Sequence, residues 1–206
     1  LITGTKGFVG RHLINKLSNK EFKIITIKDK TDLKNTSSWK NLEKCELLIH
    51  LAAKTSVEES WIKPHEYIST NTQLTTNALE YCRRSKSKLI LLSSYLYGNP
   101  KSLPIKENFP TNSLNPYALS KLLSENICRF YKNNFGIESI ILRVFNIYGP
   151  FQPESFVISK IIEQVKSSKS ITVKSLDPKR DYLYIDDLIN AIKKVISYKG
   201  NKDLFN

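Results

Sequence analysis

Tyr117 and Lys121, in the run Tyr117-Ala-Leu-Ser-Lys121, stand four residues apart, the spacing that sets two side chains on one face of a helix. A phenol has an unperturbed pKa of about 10 and is a poor base at neutral pH unless a nearby cation stabilises the phenolate. Lys121 is placed to supply that cation, so the pair can act as one proton-transfer unit. Two further stretches carry chemistry. Thr3-Gly4-Thr5-Lys6-Gly7-Phe8-Val9-Gly10 lies near the start, and Ser93-Ser94 closes an apolar run. A serine hydroxyl both donates and accepts, so Ser93 could share a proton with Tyr117 and a substrate hydroxyl.

Positioning these groups requires a regular scaffold. Residues 1–3, 22–27, 46–50, 89–93 and 137–144 read as short, largely apolar strands of the kind buried on both faces. Between them lie helix-like segments at 8–17, 64–84 and 116–134, and a short helix is expected near Trp39. This βαβ series predicts a Rossmann-like, doubly wound parallel α/β sheet. Residues 1–148 form its dinucleotide-binding domain. Residues 149–206 begin a smaller C-terminal substrate-binding part, interleaved with the last Rossmann elements, with helix-like 155–165 and a short apolar stretch at 171–173.

The glycine run then falls at the first strand-to-helix turn. There glycines permit a tight turn and close backbone approach, and the helix N-terminus offers free N–H groups to a pyrophosphate. The second strand should end beside the adenosine ribose, at Lys28-Asp29-Lys30. Asp29 would accept from a free 2′-hydroxyl and argues for NAD, whereas Lys28 and Lys30 would favour the 2′-phosphate of NADP. The reading here is NAD, with NADP open.

Composition excludes several classes. Lysine and arginine total 32 against 19 acidic residues, a formal net charge of +13. The basic residues are nevertheless spread along the chain without a dense run or interleaved aromatics, so no nucleic-acid partner is expected. The longest apolar runs are far shorter than the roughly 20 residues of a membrane span, so no membrane association is expected. No signal peptide is evident. Cys45, Cys82 and Cys128 are scattered and odd in number, which fits a reducing, cytoplasmic location and neither a disulfide framework nor a metal site. The chain has no methionine, starts abruptly on Leu1-Ile2 and ends on strand-like Leu204-Phe205, so it is expected to be a fragment lacking both termini.

Six motifs in order carry a resemblance. Thr3 to Gly10 is similar to TGxxGxxG, His50-Leu51-Ala52-Ala53 to HLAA, Ser93 to Gly98 to SSxxYG, and Tyr117 to Lys121 to YxxxK. Leu142 to Pro150 is similar to LRxFNxYGP, and Arg180 to Asp187 to RDxxxVDD. In these the chain resembles an extended short-chain dehydrogenase/reductase of the NAD-dependent nucleotide-sugar epimerase/dehydratase family. The resemblance implies Ser93, Tyr117 and Lys121 as the catalytic set. It implies Gly4, Gly7, Phe8, Val9, Gly10, Asp29, Leu51, Ala52, Ala53 and Asn71, with Tyr117 and Lys121, as cofactor contacts. Ser93, Asn146 and Arg180 would meet a nucleotide-diphosphate sugar; His50 would be structural, Asp186 would cap the helix that follows it, and the protein would be a homodimer.

The resemblance also narrows the reaction. Dehydratases of the family need a carboxylate pair just after the Ser/Thr, where this chain has Ser94 and Tyr95, and the reductase/epimerases that make GDP-fucose carry a cysteine at the position of Tyr95. A 4-epimerase, oxidising C4 transiently with bound NAD and returning hydride to either face, is the simplest fit. A 4-keto-sugar reductase using NAD(P)H would employ the same residues. A non-catalytic NAD(P)-binding sensor is the third reading, although such relatives typically lose the Tyr/Lys pair.

Overall fold

The computed structural model describes residues 1–17, 21–27, 32–168 and 170–206. Strands β1 (Ile2–Thr3), β2 (Leu47–His50), β3 (Lys88–Ser94), β4 (Ser139–Val144) and β7 (Leu204–Phe205) form one sheet in the order β1-β2-β3-β4-β7. Every pairing is parallel. Parallel strands need crossovers, and helices α1 (Phe8–Lys16), α3 (Pro64–Ser85), α4 (Pro116–Phe135) and α6 (Ile185–Ile196) lie between them in the chain. Their register aligns Thr3 with His50 and Ser94 with Val144, so the carboxyl ends of the strands share one edge.

The two faces of the sheet have separate cores. Leu48, Leu89 and Leu91 pack with Ala78, Tyr81, Cys128 and Tyr131 of α3 and α4. Ile2, Ile49 and Ile90 pack with Leu13 of α1 and with Ile185, Ile189 and Ile192 of α6. Because both faces are covered, the strands are apolar throughout rather than alternating. Each such leucine or isoleucine contributes roughly 1.5–3 kcal/mol on burial.

The helix that bears Tyr117 has clear punctuation. The Asn115 side chain accepts from the Ala118 N–H at 2.7 Å, Pro116 occupies the first turn, and Gly136 ends the helix with φ +67°. An amide cap, an initial proline and a left-handed glycine are the residues these positions favour. A second seam fixes α4 against α3: Thr75 Oγ1 donates to Ser124 Oγ at 3.1 Å, and Asn71 Nδ2 donates to Ser120 Oγ at 2.8 Å. Small polar residues let the two helices approach while satisfying each other.

The structure departs from the sequence reading in several places. Of the strand expected at 22–27, a single parallel bridge from Thr26 to Ile2 remains, beside a hydrogen bond from the Ile2 N–H to the Ile25 carbonyl. The segment is only half-buried at Ile24, Ile25 and Ile27 and exposed at 21–23, so little burial drives a longer ladder. Near Trp39 the helix is a 3₁₀ turn, Thr36–Trp39. The helix expected at 155–165 is α5, shifted by two residues to Val157–Ser167. Two elements were not expected: α2 (Val57–Ile62), capped by Ser56, and a small parallel sheet of β5 (Asn146–Tyr148) and β6 (Tyr182–Tyr184). Asp186 is no cap. It lies in the first turn of α6, whose cap residue is Tyr184, and pairs with Lys16 at 3.2 Å.

Candidate active site at the carboxyl edge of the sheet

β1 has neighbours on both sides, Thr26 on one and β2 on the other. Such a reversal of strand order opens a crevice beyond the carboxyl ends, where open α/β sheets bind ligands. The glycine turn lies there. Gly4 has φ +69°, and a Cβ on it would fall 2.7 Å from the Ala52 nitrogen. A Cβ on Gly10 would fall 2.2 Å from the Gly4 carbonyl oxygen. The turn is therefore closed by the absence of side chains, and Gly7, the cap residue of α1, brings no side chain over the first turn, which also lacks acidic residues. Phe8 and Val9 follow, half-buried against the sheet. The exposed N–H groups of a nine-residue helix with a small-residue cradle fit a pyrophosphate.

Residues 51–53 form the neighbouring wall. The Leu51 and Ala52 N–H groups both donate to Thr3 Oγ1, at 3.1 and 3.2 Å, and that hydroxyl also meets His50 Nδ1 at 2.9 Å. With its oxygen taking two N–H groups, Thr3 gives its own proton to Nδ1, which sets the hydrogen of the His50 ring on Nε2. His50 is 2% exposed, and burial, with the Lys121 charge second, pushes its pKa down to about 3. It is neutral and structural in this environment. Asn71 is equally enclosed: it accepts from the Lys54 N–H at 2.8 Å and donates to the Lys54 carbonyl at 3.0 Å as well as to Ser120. It thereby clamps the loop after Ala53 to the helix of Tyr117. Asp29, with Lys28 and Lys30, lies outside the described residues.

Tyr117 and Lys121 occupy the first two turns of α4. Burial pushes the phenol above its usual pKa although the ring is only partly covered, and a hydrogen bond with the Ser94 side chain works in the opposite direction. Lys121 is 5% exposed. Burial lowers its pKa to about 8, against the attraction of Cys128 and Glu125. Ser93 turns elsewhere: its hydroxyl donates to Glu125 Oε1 at 2.7 Å. Glu125 is fully buried and receives Arg143 through Nε at 3.0 Å and Nη2 at 2.7 Å. Arg143 also donates to Tyr97 Oη at 2.8 Å.

Asn146 and Arg180 stand further out. The Asn146 side-chain amide donates to the Asp181 carbonyl at 3.1 Å, and Arg180 is exposed, its guanidinium on the Lys179 carbonyl at 2.9 Å. The Arg180 charge opposes the upward push of burial on the Tyr95 phenol.

Sequence reasoning missed Glu125 and Arg143. Two signals were available. Glu125 follows Lys121 by four residues and so shares its helix face, and an arginine inside the apolar run 137–144 demands a buried partner.

A parallel sheet with a glycine cradle at its switch point defines a dinucleotide-binding protein. Residues 1–206 match the model of the NAD dependent epimerase/dehydratase family, and the chain belongs to that family. It is 32% identical to a putative UDP-glucose 4-epimerase of Methanocaldococcus jannaschii, over 97% of this chain and 74% of the relative. It is 31% identical to GDP-6-deoxy-D-mannose reductase of Pseudomonas aeruginosa, over 100% of this chain and 72% of the relative. The structure of UDP-glucuronic acid 4-epimerase from Bacillus cereus, in complex with UDP-glucuronic acid and NAD, superposes with a TM-score of 0.89 at 29% identity, over 100% of this chain and 76% of that one. Among the described residues no helix is long and apolar enough to cross a membrane, and no group of three or more His, Cys, Asp or Glu side chains is placed to hold a metal.

Proposed function

We propose that the protein is a nucleotide-sugar 4-epimerase that oxidises its sugar transiently at C4. The observation that carries this reading is the character of the groups around Tyr117. The strand end beside it carries no carboxylate: Ser94 and Tyr95 follow Ser93, the Tyr95 hydroxyl donates to the Gly98 carbonyl, and the buried carboxylate of α4, Glu125, is engaged by Arg143 and Ser93. Proton transfer at a sugar hydroxyl needs hydroxyls and a cation; removal of water from C5 and C6 needs carboxylic acid and base. UDP sugars are the first substrates to test, given the relatives above.

In this reading the α1 cradle of Gly4, Gly7 and Gly10 holds the pyrophosphate of NAD, with residues 51–53 as the adjoining wall. Bound there, NAD would supply the hydride acceptor and donor for C4. Tyr117 takes the C4 hydroxyl proton and later returns it, and Lys121, still cationic below about pH 8, favours the phenolate. Arg180 is exposed at the site's rim and can fork onto diphosphate oxygens, with Asn146 beside it on β5.

A second reading, an NAD(P)H-dependent 4-keto-sugar reductase, is favoured by one observation. Burial holds the Tyr117 phenol protonated, the state needed to donate a proton to a ketone. Incubating the intact protein with a panel of nucleotide sugars separates the two. Interconversion of C4 epimers without net cofactor consumption supports the epimerase. Stoichiometric oxidation of NADPH by a 4-keto sugar supports the reductase, and cofactor binding without change in any sugar overturns both.

A further inference from the structure

The loop that leaves β5 crosses to α1, the helix that follows the glycine turn. His12, half-buried in the second turn of α1, meets the Pro150 carbonyl through Nε2 at 2.9 Å. A carbonyl only accepts, so Nε2 carries the hydrogen. The same imidazole stands edge-on to Phe8, with ring centroids 5.4 Å apart, and Phe8 is the first residue of α1 after its cap, Gly7. Phe151 follows Pro150, its ring centroid 6.1 Å from that of His12. His12 therefore holds residues 150 and 151 beside the end of α1 that forms the cradle. On its far side the loop is tied back to β5, where Gln152 Nε2 donates to the Ile147 carbonyl at 2.6 Å and the Gln152 N–H to the Gly149 carbonyl at 3.3 Å. Between these anchors Phe151 has φ +64°, a left-handed conformation that bulky residues rarely adopt, and it is 82% exposed. Exposure alone is common on this surface. Phe151 combines it with backbone strain, which concentrates at ligand clamps, and with anchorage beside the cradle.

We propose that residues 150–152 form a strap over the cofactor end of α1, in which Phe151 is a contact for the dinucleotide held by the glycine cradle and His12 is the residue that positions it. This rests on the reading of Gly4, Gly7 and Gly10 as the pyrophosphate cradle. The strap makes and breaks no covalent bond. Its ring exchanges water for the bound dinucleotide, which buries apolar surface, and it keeps water from the N–H groups of the first turn of α1, where hydrogen bonds to an anion then gain strength. The consequence is kinetic, because contacts of this kind act mainly on release. A sugar that takes back its own hydride needs the reduced cofactor to stay in place until it does, so slow release suits transient oxidation. A reductase has to exchange its cofactor at every turnover. The loop also joins the cradle to β5, the strand that carries Asn146, so the cofactor and sugar sides of the crevice share one support.

The test chases NADH bound to the intact protein with excess NAD and follows the loss of NADH fluorescence. It compares the unaltered protein with Phe151→Gly, His12→Ala, His12→Gln and the double variant of His12→Ala with Phe151→Gly, and takes the thermal midpoint of each after removal of cofactor. Phe151→Gly is expected to speed release about tenfold, the effect of partly burying an aromatic ring. Its midpoint should hold, because glycine accepts φ +64° and no buried ring is lost. His12→Ala should speed release in the same way, and His12→Gln, which keeps an N–H donor, should restore most of the slow release. The double variant should release no faster than Phe151→Gly, since both changes act on one unit. Release in Phe151→Gly as slow as in the unaltered protein, or additive effects of the two changes, would overturn the strap. Failure of the intact protein to take up NADH or NAD overturns the cradle reading, and the strap with it.

Discussion

Arg143 of β4 and Glu125 of α4 form a bidentate ion pair inside the protein, with Nη2 2.7 Å from Oε2 and Nε 3.0 Å from Oε1, and with 2% and 0% of their surfaces exposed. The pair joins sheet to helix one turn beyond Lys121. Tyr97, which accepts from Arg143, donates in turn to Asn206 Oδ1 at 2.6 Å, so the network extends to the end of β7.

Breaking one side of a buried pair leaves the other charge uncompensated, at a cost of about 3–5 kcal/mol. Glu125→Gln should therefore lower the free energy of unfolding by that order in a urea titration. Replacing both partners by apolar residues, as in Glu125→Leu with Arg143→Met, should recover most of the loss. A single-variant effect below about 1 kcal/mol, the range of surface pairs, would show that the pair is not insulated from solvent.

The imidazole of His50 adds a pH dependence of known sign. Its pKa is 6.5 unfolded and about 3 folded, so the unfolded chain binds more protons between those values. The stability present above pH 6.5 is lost as pH falls toward 3, by about 1.4 kcal/mol per pH unit from this one group. Unfolding free energies of the protein and of His50→Gln, measured across that window, should diverge in slope by that order. Parallel curves would mean that the ring reaches water.

Lys121 titrates at about 8. On the proton-relay reading, kcat/KM for a nucleotide sugar, which reports the free enzyme, should fall as pH rises through 8 because the ammonium is lost. In Lys121→Arg the cation persists past pH 12, so residual activity should lack that alkaline limb. The same limb in both proteins would assign it to another group.

Gly10 and Gly136 predict opposite consequences of one added methyl. At Gly10 a Cβ meets the Gly4 carbonyl at 2.2 Å and Thr5 Cα at 2.7 Å, backbone atoms that must shift, and overpacking of this kind costs about 1–3 kcal/mol. Gly10→Ala should lower both the thermal midpoint and NAD affinity. At Gly136 nothing lies within 4 Å, and only φ +67° is unfavourable, so Gly136→Ala should lower the midpoint alone. Equal NAD affinity in the two variants would remove the cradle from cofactor binding.

Much of this architecture was legible in the sequence because parallel strands buried on both faces leave long apolar runs, and because Asn115-Pro116 and Gly136 mark the ends of α4. The short elements were not. β5 and β6 bury little, and the stretch at 22–27 has too little covered surface to hold a ladder, so composition could not distinguish them from loops. The elements that carry the candidate site were legible as well: the turn after β1, the end of β3 and the first turns of α4. Motif spacing assigns Ser93 to the catalytic set, but nothing in the spacing announces its hydrogen bond to Glu125, which depends on a contact 32 residues away in the chain. Asn71, expected at the cofactor, spends its hydrogen bonds on Lys54 and Ser120, a role that depends on contacts 17 and 49 residues away in the chain.

The central claim is that a hydride leaves C4 and returns to C4 of the same sugar. It is tested most directly by giving the intact protein a UDP-hexose deuterated at C4 and following the label by NMR. The account predicts formation of the C4 epimer with deuterium retained at C4 and no net change in cofactor. Release of the label into free reduced cofactor, or its arrival at C6 with loss of water, would contradict it.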